Sequence, residues 1–537
     1  MAVVQPYKVI CTGGLDLVSN DFDMLSRPGF ARELRNFEVS SQGGYRRING
    51  FTLYGEGSAT RPEATNKILG VQPYALGVVV CVDTSVYYSE DGISWLQINK
   101  DTGAAGKIEA DMAGTAALDR PLQERAQFVM MSAPVGRTST TYGSLSIATG
   151  PNKVARFRIE GTGVSRTFHY EEITTPAAGT YLEVHSRHLC VVDTVNASQT
   201  VYYSAFNDDS DFAGSGSGSV TLPDKIVGIK SFRDFLYIFC ENSIHRLSNI
   251  NNPSTISVDQ ITGNLGCISG YTIQEIGGDL IFLATDGVRT VSGTDRIDDI
   301  NLGTVSTKIR PIIKTLIDQR NNYIYASTVI KSKDQYRLFY TDADAGYRDQ
   351  KGIIGTLRPD IQTGQLKYEW SETKGIEVTA MGSSLDATTT EKVYHGDNDG
   401  YIYIHDTGDT FNGTVITYNY KTPDFDLGDV GLRKTPYYME LSIQAEGNLT
   451  LQMDTKFDFR SRSIMQPNNI EITVPASGSR YGDAIYGTSV YGVGSNLDRV
   501  NLIGSGTSVS YKFFNTTEAK PFIINGLYLA FVPHDRR

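Results

Sequence analysis

The chain reads as all-β: a β-propeller of six or seven blades with one amphipathic helix and a C-terminal β-sandwich-like domain. Two observations predict it. Tyr, Val, Ile and Thr gather in short runs between Gly, Asp, Asn and Ser, and one strand-turn-strand unit recurs along most of the sequence. "VVVCVDTSVYYSEDG" (78–92) and "LCVVDTVNASQTVYYSA" (189–205) both pass from a Val-rich strand through Val-Asp-Thr into Val-Tyr-Tyr-Ser. Related units follow at 235–248, 279–293, 335–346 and 392–406, with "QFVMMSAP" from Gln127 as a weaker seventh. Starts at Val78, Phe128, Leu189, Leu236, Leu280, Leu338 and Val393 lie 50, 61, 47, 44, 58 and 55 residues apart. Repeats of about 40 to 50 residues point to propeller blades, because a lone small sheet exposes both faces and radial stacking buries them.

The propeller is expected over residues 55–415. Amino-terminal strands and a hairpin occupy 1–54, the latter in "RELRNFEVSSQGGYRRINGF" with a loose turn at 40–44. One segment breaks the β pattern. In "STKIRPIIKTLIDQR" (306–320) Ile309, Ile312, Ile313, Leu316 and Ile317 share a helical face, with Ser306 as the expected cap and a blade edge as the expected neighbour. From 416 to 537 long alternating strands predict the sandwich-like domain. Within it "RYGDAIYGTSVYGVG" (480–494) repeats Tyr-Gly every five residues at Tyr481, Tyr486 and Tyr491, a turn-rich loop carrying aromatic contacts.

Composition narrows the function. Sixty Asp and Glu against 49 Lys and Arg give a net charge of -11, which argues against a surface that grips nucleic acid throughout. The longest apolar run, 75–82, falls far short of the ~20 residues of a membrane-spanning helix. The amino terminus lacks a secretory pattern, so the expected compartment is the producer's cytosol. Five cysteines form no CxxC pair and read as buried thiols; seven scattered histidines, His185 and His188 included, offer no shared ligand sphere if that segment is one strand. No metal and no cofactor is expected.

Motifs of turnover chemistry are sparse. "YYSEDGISW" (87–95) resembles the Asp-box of sialidases and related propellers, a structural hairpin turn in which Ser89, Asp91, Gly92 and Trp95 would play the family's parts. No paired-carboxylate constellation or other catalytic residue stands out. "GSGSGS" (214–219) lacks the Lys-Ser/Thr of a phosphate loop and reads as a flexible loop, while "DNDG" (397–400) reads as a hairpin turn rather than a calcium loop.

The run "GGLDLVSNDFDMLSRPGFARELRNFEVSSQGGYRRINGF" (13–51) resembles the opening of the tail nozzle proteins of short-tailed bacteriophages, also called tail tubular or tail hub proteins. The matching elements are Gly13 and Gly14, Asn36, Gly43 and Gly44, and Arg46 with Arg47; Asn49-Gly50 stands where the family has Pro-Gly. A second similarity is the order "IVGIKSFRDFLYIFCENSIHRLS", "LGCISGYTIQEIGGDLIFLATDGVRTV", then the Ile-rich helix. The resemblance covers about residues 10–320. It implies a structural virion protein of the tail, assembled in the host cytoplasm as a hexameric ring below the portal-adaptor ring. Such a ring docks tail fibres or spikes and passes double-stranded DNA without sequence recognition or turnover chemistry. On that reading Arg32, Arg35, Arg46 and Arg47 are candidates for ring or adaptor contact, and Asp208, Asp209 and Asp211 for an acidic lumen or tip loop. The alternative is a propeller carbohydrate-active enzyme or lectin of the sialidase-like type.

Overall fold

The structure is a computed structural model. It describes residues 4–534 apart from positions 41–42, 64–65, 101–106, 109–117, 119–124, 133, 135–141, 162, 164–165, 253, 293–303, 343–349, 360–363, 386–389, 462, 476–495 and 516–519. The Tyr-Gly loop at 480–494 therefore lies outside the described residues.

Seven antiparallel meanders form the propeller. Their inner strands are Ile68–Tyr74, Gln127–Met131, Tyr181–His185, Ile226–Phe232, Gln274–Ile276, Tyr323–Ile330 and Ala380–Leu385, for blades 1 to 7. The second strands of blades 1, 3, 4 and 5 are apolar without alternation, as in Val78–Val82 and Leu280–Ala284, because both faces of each blade meet a neighbour. An apolar cluster fills each of the seven junctions. Phe157 and Phe168 of blade 2 pack with Val79 and Tyr88 of blade 1, and Phe239 of blade 4 packs with Phe282 of blade 5. Ile68, Val78 and Val80 of blade 1 meet Ala380 and Ile402 of blade 7, which closes the ring.

Blade 7 is completed from the other end of the chain. Phe51–Leu53 pairs with Ile402–His405 as the outer strand, and Phe51 stacks on Phe411 at 5.2 Å and meets His395 and Tyr403 edge-on. The amino-terminal segment is thus divided between the two bodies of the molecule. Its other strands belong to the sandwich: Gln5–Ile10 and Tyr45–Arg47 pair with Phe522–Pro533, and Phe37–Val39 pairs with Tyr45–Arg47. The facing sheet is continuous with blade 6. Nine strands run from Tyr323–Ile330 through Leu366–Lys374, then Glu33–Arg35, to Ile470–Val474, joined by a parallel contact of Arg35 with Glu372. One apolar cluster spans Met439, Leu451 and Phe513 of the sandwich and Ile281, Tyr336 and Leu338 of blades 5 and 6.

The helix forms at Arg310–Asp318 after a 3-10 turn at Thr307–Ile309, with Ile309, Ile313 and Leu316 buried in that cluster. Ser306 does not cap it. Its hydroxyl accepts from the Val288 N–H at 2.9 Å instead, and the 3-10 turn leads the chain into the helix. A second correction concerns His185 and His188. They flank a two-residue turn, Ser186-Arg187, with both φ positive, so they face each other across a hairpin and share a side. They still bond apart: His185 Nδ1 pairs with Ser231 Oγ and His188 Nε2 with Asn251 Oδ1. "GSGSGS" is only partly a loop, since Gly218–Thr221 is the outer strand of blade 3. The five cysteines are free and buried.

Candidate functional site

In each meander, the segment leading into the inner strand and the turn between second and third strands lie at the same end. At that end of the propeller sit Arg125, Tyr271, Glu377 and Asp397. Arg125 leads into blade 2. Its Nη1 donates to the Tyr325 carbonyl of blade 6 at 2.8 Å, and its guanidinium lies 4.9 Å from the centre of the Tyr271 ring, before blade 5. Blades 2, 5 and 6 are not consecutive around the ring, so these contacts cross the axis. Tyr271 is held in turn: its hydroxyl donates to the Arg125 carbonyl at 2.6 Å, and Ser327 Oγ donates to its own carbonyl at 2.7 Å.

Blade 7 brings two carboxylates to the same end. Burial pushes both the Glu377 and Asp397 carboxyls up, with Asp399 adding repulsion. Glu377 accepts from Gln350 Nε2 at 2.7 Å and from the Asn398 side chain, while Asp397 accepts from the Tyr403 hydroxyl and the Tyr401 N–H, each at 2.8 Å. Carboxyls raised by burial retain a proton to higher pH, which suits a general acid.

The Asp-box-like turn lies at the opposite end, on the outer turn of blade 1. Asp91 Oδ1 accepts from the Ile93 and Ser94 N–H groups at 2.8 Å, the Gly92 N–H donates to Ser89 Oγ at 2.9 Å, and Trp95 Nε1 donates to the Thr60 carbonyl at 3.1 Å. Gly92 takes φ +73°, and a side chain there would strike the Tyr54 backbone. Beside the turn is a cleft of about 330 Å³ lined by Tyr88, Glu90, Trp95 and Arg166 among others.

The four arginines singled out in the sequence are engaged within the chain. Arg32 pairs with Asp21 at 2.6 Å and Arg35 with Glu372 at 3.6 Å. Arg46 reaches Glu38 and Glu446, each at 3.1 Å, and Arg47, fully buried, donates to the Asp409 carbonyl at 3.1 Å. Arg47 therefore presents no contact surface, and Arg46 lies half-buried between its two carboxylates. Of the three acidic-loop residues, Asp209 alone is withdrawn from solvent. Asp209 is fully buried against Arg156 at 2.9 Å, while Asp208 and Asp211 accept from backbone N–H groups of their own turns.

Arg46 opens onto a buried ion network that sequence spacing could not assemble. Glu38 of the sandwich accepts from Arg337 and Lys333 of blade 6, both at 2.9 Å, and these cations also hold Asp406 of blade 7 at 3.1 and 2.7 Å. Burial pushes the Glu38 carboxyl up, but Lys333, Arg337 and Arg46 together outweigh burial and Asp406 and hold it below the usual range. Behind Arg337, His405 pairs with His395 at 3.3 Å, and both stay neutral: burial drives His395 down to about 3, and burial, His395 and the nearby cations drive His405 well down. No group of three metal-ligating side chains occurs among the described residues.

No protein-family model and no curated protein matches the chain. Solved structures that resemble it include a quinonprotein alcohol dehydrogenase-like protein from Bacteroides thetaiotaomicron, at 8% identity and TM-score 0.31 over 60% of this chain and 69% of that one. An exo-β-1,3-galactanase from Phanerochaete chrysosporium aligns at 10% identity and TM-score 0.25, over 92% and 100%. A family 43 arabinoxylan arabinofuranohydrolase from Bacillus subtilis aligns at 10% and 0.26, over 90% and 99%. Two of these three cleave carbohydrate, which stands against the expectation of a chain without turnover chemistry, although at these identities and TM-scores the likeness assigns no activity to this chain; one architecture hosts enzymes and scaffolds alike.

Proposed function

We propose that this chain is a subunit of the tail nozzle of a short-tailed phage, assembled as a ring below the portal and adaptor. The observation that carries the reading is how the amino-terminal segment bearing the resemblance is built in. Residues 5–53 supply strands to both sandwich sheets and the closing strand of blade 7, so the two bodies are tied into one rigid block. A ring under the pressure of packaged DNA requires such a block, and a heterologous interface between blocks closes when its rotation permits. With Arg125 across the propeller axis, the DNA path in this reading runs between subunits. Electron microscopy of the purified full chain, alone and mixed with an adaptor ring, tests it. Six-fold rings docked on the adaptor are expected; a persistent monomer that ignores the adaptor sinks the proposal.

The burial-raised pair Glu377 and Asp397 favours a second reading, a propeller that binds or cleaves carbohydrate. A glycan array combined with a hydrolysis assay separates the two. Binding or cleavage abolished in Glu377→Gln supports the second reading, and silence in both assays removes it.

A further inference from the structure

Six arginines are buried among the described residues: Arg47, Arg125, Arg156, Arg158, Arg289 and Arg337. Five have a carboxylate oxygen within 4 Å. Arg47 has Asp409 at 3.8 Å, Arg156 has Asp209 at 2.9 Å, Arg158 has Glu160 at 2.8 Å, Arg289 has Asp286 at 2.7 Å and Arg337 has Glu38 at 2.9 Å. Arg125 is the exception. It is 8% exposed, donates one hydrogen bond to a backbone carbonyl, and leaves its buried Nε without a partner.

A buried cation without a counter-charge is costly, and proteins pair such groups or bind an anion to them. Packing alone does not account for a charge here, since an apolar side chain would fill the place without desolvating a guanidinium. Nor is the side chain loose. The Tyr325 carbonyl fixes one nitrogen, the Tyr271 ring supports the guanidinium plane, and Tyr271 is itself anchored to the Arg125 and Ser327 backbone and side-chain groups described above. This leaves a preorganised fork whose Nε is enclosed and unpartnered, on the edge that binds oxyanions bidentately. Burial lowers the group to about 10, with no carboxylate among the described residues to restore it.

We infer that Arg125, backed by Tyr271, is a binding site for a small oxyanion, a phosphate or a carboxylate, at the axial mouth of the propeller. The anion's two oxygens take the Nε edge, and its charge neutralises the guanidinium. Position adds a consequence. Because Arg125 joins blades 2, 5 and 6 across the axis, an anion there tightens the whole ring rather than one blade.

Thermal unfolding and calorimetric titration of the full chain test this, with inorganic phosphate in one arm, sodium acetate in the other and sodium chloride at matched ionic strength as reference. Wild-type protein is expected to gain a few degrees in Tm with at least one oxyanion. Arg125→Gln is expected to show no oxyanion-specific gain. If Arg125→Gln does not fold, Arg125→Lys carries the test: it keeps the charge but lacks the fork, and its affinity should fall about tenfold. A wild-type protein indifferent to both oxyanions overturns the site, as does an equal gain in wild type and variant. Phosphate response without acetate response assigns the site to phosphate, and the reverse assigns it to carboxylates.

Discussion

At the scale of single residues, burial decides which charges shape the molecule's response to pH. Asp424 is the clearest case: burial pushes its carboxyl up to about 6, and its Oδ1 has no hydrogen-bond partner. The unfolded carboxyl ionises near pH 3.9, so between about pH 4 and 6 the folded chain holds a proton that the unfolded chain has lost. Stability from this residue is therefore lost as pH rises through that window. Asp424→Asn should leave stability near pH 4 almost unchanged and raise it at pH 7 by up to about 3 kcal/mol, read from urea unfolding at the two pH values. A variant equally weakened at both would refute the assignment. His395 and His405 act in the opposite direction. Both are depressed in the folded chain, so stability falls as pH drops below about 6.5, where the unfolded histidines take up protons that the folded ones refuse. Replacing His395 by Phe should flatten the acid limb of the stability curve while leaving pH 8 within about 1 kcal/mol.

At the scale of elements, ring closure rests on a strand of three residues. Phe51 is 8% exposed and carries the aromatic contacts that hold Phe51–Leu53 on blade 7. Truncation to Ala should cost about 3 to 5 kcal/mol. It should also raise hydrogen exchange first in Ile402–His405 and in the blade 7 to blade 1 contact; uniform loss of protection would mean that the strand is not a local clasp. Blades 1, 3, 4 and 5 were most legible in the sequence because their second strands are apolar on both faces. Six of the seven chosen starts fall in second strands; Phe128 instead lies in the inner strand of blade 2, whose second strand, Ser144–Ala148, is serine-rich and does not stand out. What could not be read were partners far away in sequence. Glu38 meets Arg337 across 299 positions, and Phe51–Leu53 meets Ile402–His405 across a similar distance. Arg46 and Arg47 read as candidates for ring or adaptor contact because composition does not reveal a buried acceptor. Arg125 gave no signal at all, since its role arises only when blade 2 meets blades 5 and 6 across the axis.

At the scale of the whole molecule, propeller and sandwich share both an apolar cluster and the ion network around Glu38, and the two contribute very differently. Each large apolar side chain withdrawn from water contributes about 1.5 to 3 kcal/mol, and the shared cluster contains many, from Met439 and Phe513 to Tyr336 and Leu338. A buried ion network nets little, because desolvation offsets attraction, yet breaking one partner is expensive. Glu38→Gln should therefore cost about 3 kcal/mol, since it leaves Arg337 and Lys333 to share Asp406. Removing opposite charges together, as Glu38→Met with Arg337→Met, leaves Lys333 with Asp406 and Arg46 with Glu446 still paired, and should cost less than Glu38→Gln alone. The apolar cluster remains continuous in that double variant. Calorimetry should accordingly show one cooperative transition for wild type and double variant alike, because the core that spans the two bodies couples them and the charges only set their register. Two separated transitions in the double variant would show instead that the ion network is the coupling, and that the sandwich and the propeller are independent bodies held together by charge.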